Sequence, residues 1–187
     1  MSGKVLNVPN ILSSLRILML PVLGWLMQTG HGISACLVLT MAGITDVLDG
    51  WYARTFKQET VIGKLLDPVA DKVLVCFAVV FLLARPEDPL NPWLAVLLLS
   101  REFLVTGLRA MAAAEGLIIG AGHTGKLKTF SQFVGLGALM LRIDPLGLPS
   151  RPIGQVALWI SVVLSYGSMF QYLRLAYLEL RTKSQKR

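Results

Sequence analysis

The chain has 187 residues, 54% of them hydrophobic and only 16% charged, with a formal net charge of +7. That balance falls well outside the range of soluble globular domains and excludes an ordinary water-soluble fold. The basic residues collect at alternate ends of apolar segments rather than among surface aromatics, so the charge does not describe a nucleic-acid-binding surface.

Apolar stretches of roughly 20 residues, the length that crosses about 30 Å of hydrocarbon, recur along nearly the whole sequence. They predict an all-α integral membrane protein of six transmembrane helices in one domain covering 1–187, with helices at about 9–28, 33–54, 63–84, 91–114, 124–142 and 153–180. The opening "MSGKVLNVPN" shows no small-residue cleavage site after an apolar run, so the first helix is expected to stay. Cys36 and Cys76 lie inside apolar runs and read as small core residues, not as a disulfide or metal pair.

The breaks "QTGHG", "ARPEDPLNP" and "IDPLGLPSRP" are Gly/Pro-rich turns that alternate with basic junctions. Lys4, Arg54, Lys57, Lys64, Lys126, Lys128 and the tail "RTKSQKR" all fall on the other side. By the positive-inside rule this richer side faces the cytoplasm, with both termini; the membrane is expected to be the plasma (inner) membrane. The tail reads as an anchor to anionic lipid, and His31 and His123 as solvated loop residues.

The feature that needs explaining is "DVLDGWYARTFKQETVIGKLLDPVAD", residues 46–71. On a helix, Asp46, Asp49, Gly50, Ala53 and Arg54 share an arc of about 140°, and Gly63, Asp67 and Asp71 share one of about 80° on the next. Counting inward at about 1.5 Å per residue sets Asp49 level with Asp67 and, near 12 Å, Asp46 level with Asp71.

An Asp at mid-membrane costs about 2.5–3.5 kcal/mol, less near the interface, so four require protons or cations to offset them. An oxygen-only cluster without His or Cys suits hard ions, Mg²⁺ or Mn²⁺, and two would neutralise it. Gly50, Ala53 and Gly63 leave a slot for a flat group against the backbone, with Arg54 at its rim for a phosphate. Together these describe a place for a metal-bound nucleotide diphosphate. Helix packing with protonated or snorkelling acids, or a proton- or ion-coupled transporter, are the other readings.

The spacing D-x2-D-G-x2-A-R-x8-G-x3-D-x3-D, met in full by these eight residues, resembles the CDP-alcohol phosphotransferases. The resemblance implies a six-helix, usually homodimeric membrane enzyme that attacks a CDP-linked lipid with an alcohol and releases CMP. It assigns metal ligation to Asp46, Asp49, Asp67 and Asp71, the CDP moiety to Asp49, Gly50, Ala53, Arg54 and Gly63, and the catalytic base to Asp71. "NVPNILSSLR", "SREFLVTGLRAMAAAEG" and "GKLKT" are similar to the members that take CDP-diacylglycerol and glycerol 3-phosphate. Ser13 stands where those commonly have Thr, which keeps the hydroxyl. A sister enzyme taking phosphatidylglycerol is the alternative within the family.

A phosphorylated acceptor needs cations. Arg101 and Arg109, eight residues apart on one side of a helix, with Lys126 and Lys128 at the entry of the next, are candidates for an acceptor-phosphate pocket. Lys126, Lys128 and Arg109 would equally serve as topology determinants, and Arg101 as an ion-pair partner of Glu102. Asn10 and Arg16 are possible site-lining residues from helix one, Asn10 alternatively capping it after Pro9.

Overall fold

The computed structural model describes residues 8–56, 61–114 and 124–184, with the side chains of 8–10, 49–56, 61–68, 109, 113–114, 124–126, 146 and 175–184 outside the description. Among the described residues seven α-helices follow in order: α1 (Val8–Leu18), α2 (Leu20–Gln28), α3 (Gly32–Phe56), α4 (Val61–Leu83), α5 (Pro92–Ala114), α6 (Thr124–Met140) and α7 (Ser150–Ser184). A single 3-10 turn, Pro145–Gly147, precedes α7, and no strand occurs among the described residues.

The expected first helix is two. Pro21 has no N–H to give the carbonyl of Ile17, so α1 ends at Leu18 and α2 resumes at Leu20. Met19 keeps right-handed helical angles between them, and its N–H and carbonyl still bond Leu15 and Leu23, both at 2.9 Å. The two therefore run on nearly as one broken rod. Asn10 falls inside α1, past its first turn's start at Val8, and so is not its N-cap.

The other helices sit where the hydropathy pattern put them, with shifted ends. The fifth expected helix stops at Met140, because Leu141 leaves the helix and Arg142 takes a positive φ of 56°. The sixth starts earlier, at Ser150, where Asp144 Oδ1 accepts from the Ser150 N–H (2.9 Å) and hydroxyl (3.1 Å) and fixes the entry into α7. α4 continues through Pro68, which cannot supply the N–H that would bond the Lys64 carbonyl.

Polarity in this bundle is reversed relative to a soluble protein. Val47 on α3, Val80 on α4, Trp93 and Phe103 on α5, Phe130 on α6 and Val163 on α7 are all exposed, while Ser13, Arg16, Arg101, Gln132, Ser161 and Ser165 are buried. Only a solvent of hydrocarbon makes that arrangement economical. Among the described residues, Ile11–Gln28 and Ser150–Arg174 are long and apolar enough to cross a membrane, with a shorter apolar stretch at Gly32–Leu48.

Small residues set the closest approach. At the α6–α7 crossing, the most extensive in the bundle, a Cβ on Gly135 would lie 3.0 Å from the Gly154 carbonyl oxygen and one on Gly154 would lie 3.0 Å from that of Gly135. Packing backbone against backbone replaces the hydrophobic drive that lipid removes. The core proper is a layer of Leu23, Leu39, Val79, Leu94, Leu136 and Leu158 at the bundle centre.

The three Gly/Pro-rich turns meet at one end. Arg85, after α4, donates to the carbonyls of Leu139 (2.6 Å) and Met140 (3.3 Å) at the end of α6. Arg151 pairs with Asp88, and Gly30 (φ 81°) packs beneath the Arg142 guanidinium. With α2, α4 and α6 ending here, the helices alternate up and down. The acidic motif on α3 and α4 consequently lies toward the other end.

Candidate active site

α1 packs on both α3 and α4, and its inward face carries Ser13 and, one turn on, Arg16, both fully buried. Arg16 Nη1 lies 3.0 Å from Asp46 Oδ1 on α3 and 2.8 Å from Asp71 Oδ1 on α4. One nitrogen thus serves both carboxylates, so their oxygens stand within two hydrogen-bond lengths of each other. The equal depth expected for Asp46 and Asp71 is what this shared donor requires.

Arg16 is wholly enclosed, while the Asp46 and Asp71 side chains keep 38% and 48% of their surface open. The guanidinium therefore holds the acids from behind and leaves them accessible from the front. An uncompensated charge this deep in the bundle would cost several kcal/mol, and each partner offsets the other. A cation on α1 supplies part of the compensation that the four acids require.

The side chains of Asp49, Gly50, Ala53, Arg54, Gly63 and Asp67 lie outside the described residues, although the helices that carry them are described through Phe56 and from Val61. Among the described residues no three His, Cys, Asp or Glu side chains gather as a metal site. The donors that are described suit a hard cation: two half-open carboxylates brought to one point, offering oxygen alone.

The expected phosphate-binding cations divide. Arg101 on α5 is buried; its Nη2 pairs with Glu102 Oε1 at 2.7 Å and donates to Gln132 Oε1 on α6. Arg101 Nε and Gln132 Nε2 are buried donors with no hydrogen-bond partner among the described residues. Lys128 is buried on α6, where its carbonyl accepts the Ser161 hydroxyl of α7 at 2.9 Å. The Arg109 and Lys126 side chains and all of His123 lie outside the description. His31 is exposed, its Nδ1 2.8 Å from the Thr29 hydroxyl.

Two residues are more prominent here than the sequence made them. Arg16 was one of two possible lining residues, yet it is the only Asp, Glu, Lys or Arg between Lys4 and Asp46, and that isolation was the available signal. Gln132 carries no such mark; it stands in "FSQFVG", at the middle of α6, as a single amide among largely apolar neighbours.

An all-helical bundle, apolar outside, with carboxylates gathered on a buried guanidinium at one end, is the form of an integral membrane enzyme. The chain belongs to the CDP-alcohol phosphatidyltransferase family, whose profile matches residues 6–167. It is 32% identical to a protein of Bacillus subtilis (strain 168), across 95% of this chain and 99% of that one. It is 35% identical to one of Sodalis glossinidius (strain morsitans), across 90% and 93%, and 34% identical to one of Haemophilus influenzae, across 91% and 93%. Each of the three is named CDP-diacylglycerol--glycerol-3-phosphate 3-phosphatidyltransferase.

Proposed function

We propose that this protein transfers the phosphatidyl group of CDP-diacylglycerol to glycerol 3-phosphate, giving phosphatidylglycerophosphate and CMP, as a phosphatidylglycerophosphate synthase of phospholipid biosynthesis. The observation that carries the reading is the union of Asp46 and Asp71, first and last acids of the motif, on Arg16. The shared name of relatives that match nearly end to end supports the acceptor.

Six membrane crossings fit the bundle, with α1 and α2 together making the first and α3 to α7 the rest. The acidic end faces the cytoplasm with both termini, as the positive-inside rule assigns. CDP-diacylglycerol enters from the inner leaflet, its acyl chains remaining in lipid and its cytidine in the Gly50/Ala53/Gly63 slot, with Asp49 and Arg54 beside the diphosphate. The protein works as a homodimer in the plasma membrane.

Asp71 takes the proton of the glycerol 3-phosphate hydroxyl as that oxygen bonds to the lipid-linked phosphorus. The bond from this phosphorus to the CMP oxygen breaks in line, and CMP carries away the electron pair. Arg16 is a positioning residue that fixes Asp71 and Asp46 relative to one another. Asp46, Asp49, Asp67 and Asp71 would hold Mg²⁺ or Mn²⁺, two ions by charge, which would withdraw charge from the diphosphate and favour CMP as leaving group.

The acceptor's phosphate is held by Arg101, Arg109, Lys126 and Lys128. The buried donors Arg101 Nε and Gln132 Nε2 support this, since an anion is the partner such groups want. The test is acceptor-dependent release of CMP by the purified protein. Release from CDP-diacylglycerol only when glycerol 3-phosphate is added supports the reading; no release, with acid-dependent ion flux in its place, would make the protein a transporter.

A further inference from the structure

The end of the bundle remote from the Asp46 and Asp71 carboxylates holds a polar cavity. It has a volume of about 330 Å³ and is lined by Arg85, Arg142 and Arg151 with Glu87, Asp88 and Asp144. It opens beyond Leu83, the end of α4, about 18 Å of helix away from Asp71. Nothing in the transferase reaction uses it.

The six charges are equal in number, three of each sign, but unevenly paired. Asp88 is taken by Arg151, and Asp144 accepts from Ser150 at the start of α7. Arg85 spends its two terminal nitrogens on the last carbonyls of α6. Its Nε is buried and has no hydrogen-bond partner among the described residues.

Arg142 has no carboxylate partner among the described residues, and its guanidinium sits over Gly30, where a Cβ would come within 3.1 Å of Nη1. Burial first, and then repulsion from Arg142, push the Arg85 pKa below its ordinary value, with Asp88 opposing. Arg142 thus faces the cavity without a carboxylate of its own, beside an Arg85 whose buried Nε is unpartnered among the described residues. Arg142 also keeps a backbone φ of 56°, the left-handed position that terminates α6 and turns its side chain out of the helix.

We propose that this cavity binds a phosphate group, either the headgroup phosphate of an anionic phospholipid or free phosphate, between Arg85 Nε and the Arg142 guanidinium. Guanidinium groups match phosphate oxygens in geometry and charge. The volume accommodates a phosphate with a glycerol-sized substituent. Trp25 and Trp93, both exposed, stand near the ends of α2 and α5 on this same side, as aromatic residues do at headgroup depth.

The test uses the full chain purified in non-ionic detergent, titrated with inorganic phosphate or with phosphatidylglycerol, and followed by native mass spectrometry and thermal unfolding. Arg142→Gln is expected to weaken binding about tenfold, the loss of one charge-assisted contact. Glu87→Gln is expected to tighten it, a gain that misfolding cannot mimic. Binding of phosphatidylglycerol but not of phosphate at the same concentration assigns the lipid as source, and binding of both assigns free phosphate as sufficient. Binding unchanged by Arg142→Gln, weakened by Glu87→Gln, or absent for both ligands would overturn the proposal.

Discussion

Arg16 of α1 reaches Asp46 of α3 and Asp71 of α4 with the same nitrogen, at 3.0 and 2.8 Å, and so ties three helices at the level of the acidic motif. Removing this guanidinium leaves two carboxylates close together without their buried counter-ion. Arg16→Met is expected to lower stability by about 3 kcal/mol, the lower part of the range for breaking a buried pair because both acids are partly open. Turnover should fall at least about a hundredfold through loss of alignment, and Arg16→Lys should recover part of the stability. Thermal unfolding and a CMP-release assay read the two effects.

The two acids held by Arg16 are expected to differ in what they do. Asp71→Asn should abolish turnover while CDP binding largely survives, whereas Asp46→Asn should lose metal and nucleotide together. Calorimetric titration of CDP in the presence of Mg²⁺, beside the activity assay, separates them. Equal turnover in Asp71→Asn and the parent would remove Asp71 as the base.

The bundle was legible in the sequence because hydrocarbon imposes one requirement, about 20 apolar residues per crossing, and Gly/Pro-rich turns mark its limits. The motif was legible because helical geometry converts spacing into angle and depth, which is how Asp46 and Asp71 came out level. What escaped was what depends on contact between helices distant in sequence. Arg16 approaches the acids only because α1 packs between α3 and α4, and Gln132 meets Arg101 only through the α5–α6 arrangement. Pro21 was visible, yet whether it kinks or divides a helix depends on the neighbours that re-satisfy the backbone.

Metal removal gives a third expectation. Chelation by EDTA should abolish CMP release, and Mg²⁺ or Mn²⁺ should restore it while leaving the Arg16 variants impaired. Full activity after exhaustive chelation would contradict the assignment of Asp46, Asp49, Asp67 and Asp71 as ligands.

Among the basic residues, structure and chemistry predict a split. Arg101→Gln strands the Glu102 carboxylate and the Gln132 carbonyl, so it should cost about 2 kcal/mol of stability as well as activity. Arg109→Ala and Lys126→Ala should raise KM for glycerol 3-phosphate about tenfold with the unfolding temperature nearly unchanged. An unaltered KM in both would remove them from the acceptor pocket.

The α6–α7 crossing provides a prediction remote from the chemistry. Gly154→Val forces a side chain against the Gly135 carbonyl and Leu139, and overpacking of this kind costs about 1–3 kcal/mol. Gly167→Ala, on the same helix with nothing within 4 Å of its would-be Cβ, should be nearly neutral. Unfolding temperatures of the two variants in one detergent make the comparison.

The identity of the acceptor decides what this enzyme makes. Purified protein in mixed micelles with CDP-diacylglycerol, Mg²⁺ and either labelled glycerol 3-phosphate or labelled phosphatidylglycerol tests it in one experiment, the lipid product being separated and counted. Label should enter phosphatidylglycerophosphate from glycerol 3-phosphate, one CMP per product, and vanish in Asp71→Asn. Label entering cardiolipin from phosphatidylglycerol, with glycerol 3-phosphate ignored, would make the protein a cardiolipin synthase instead.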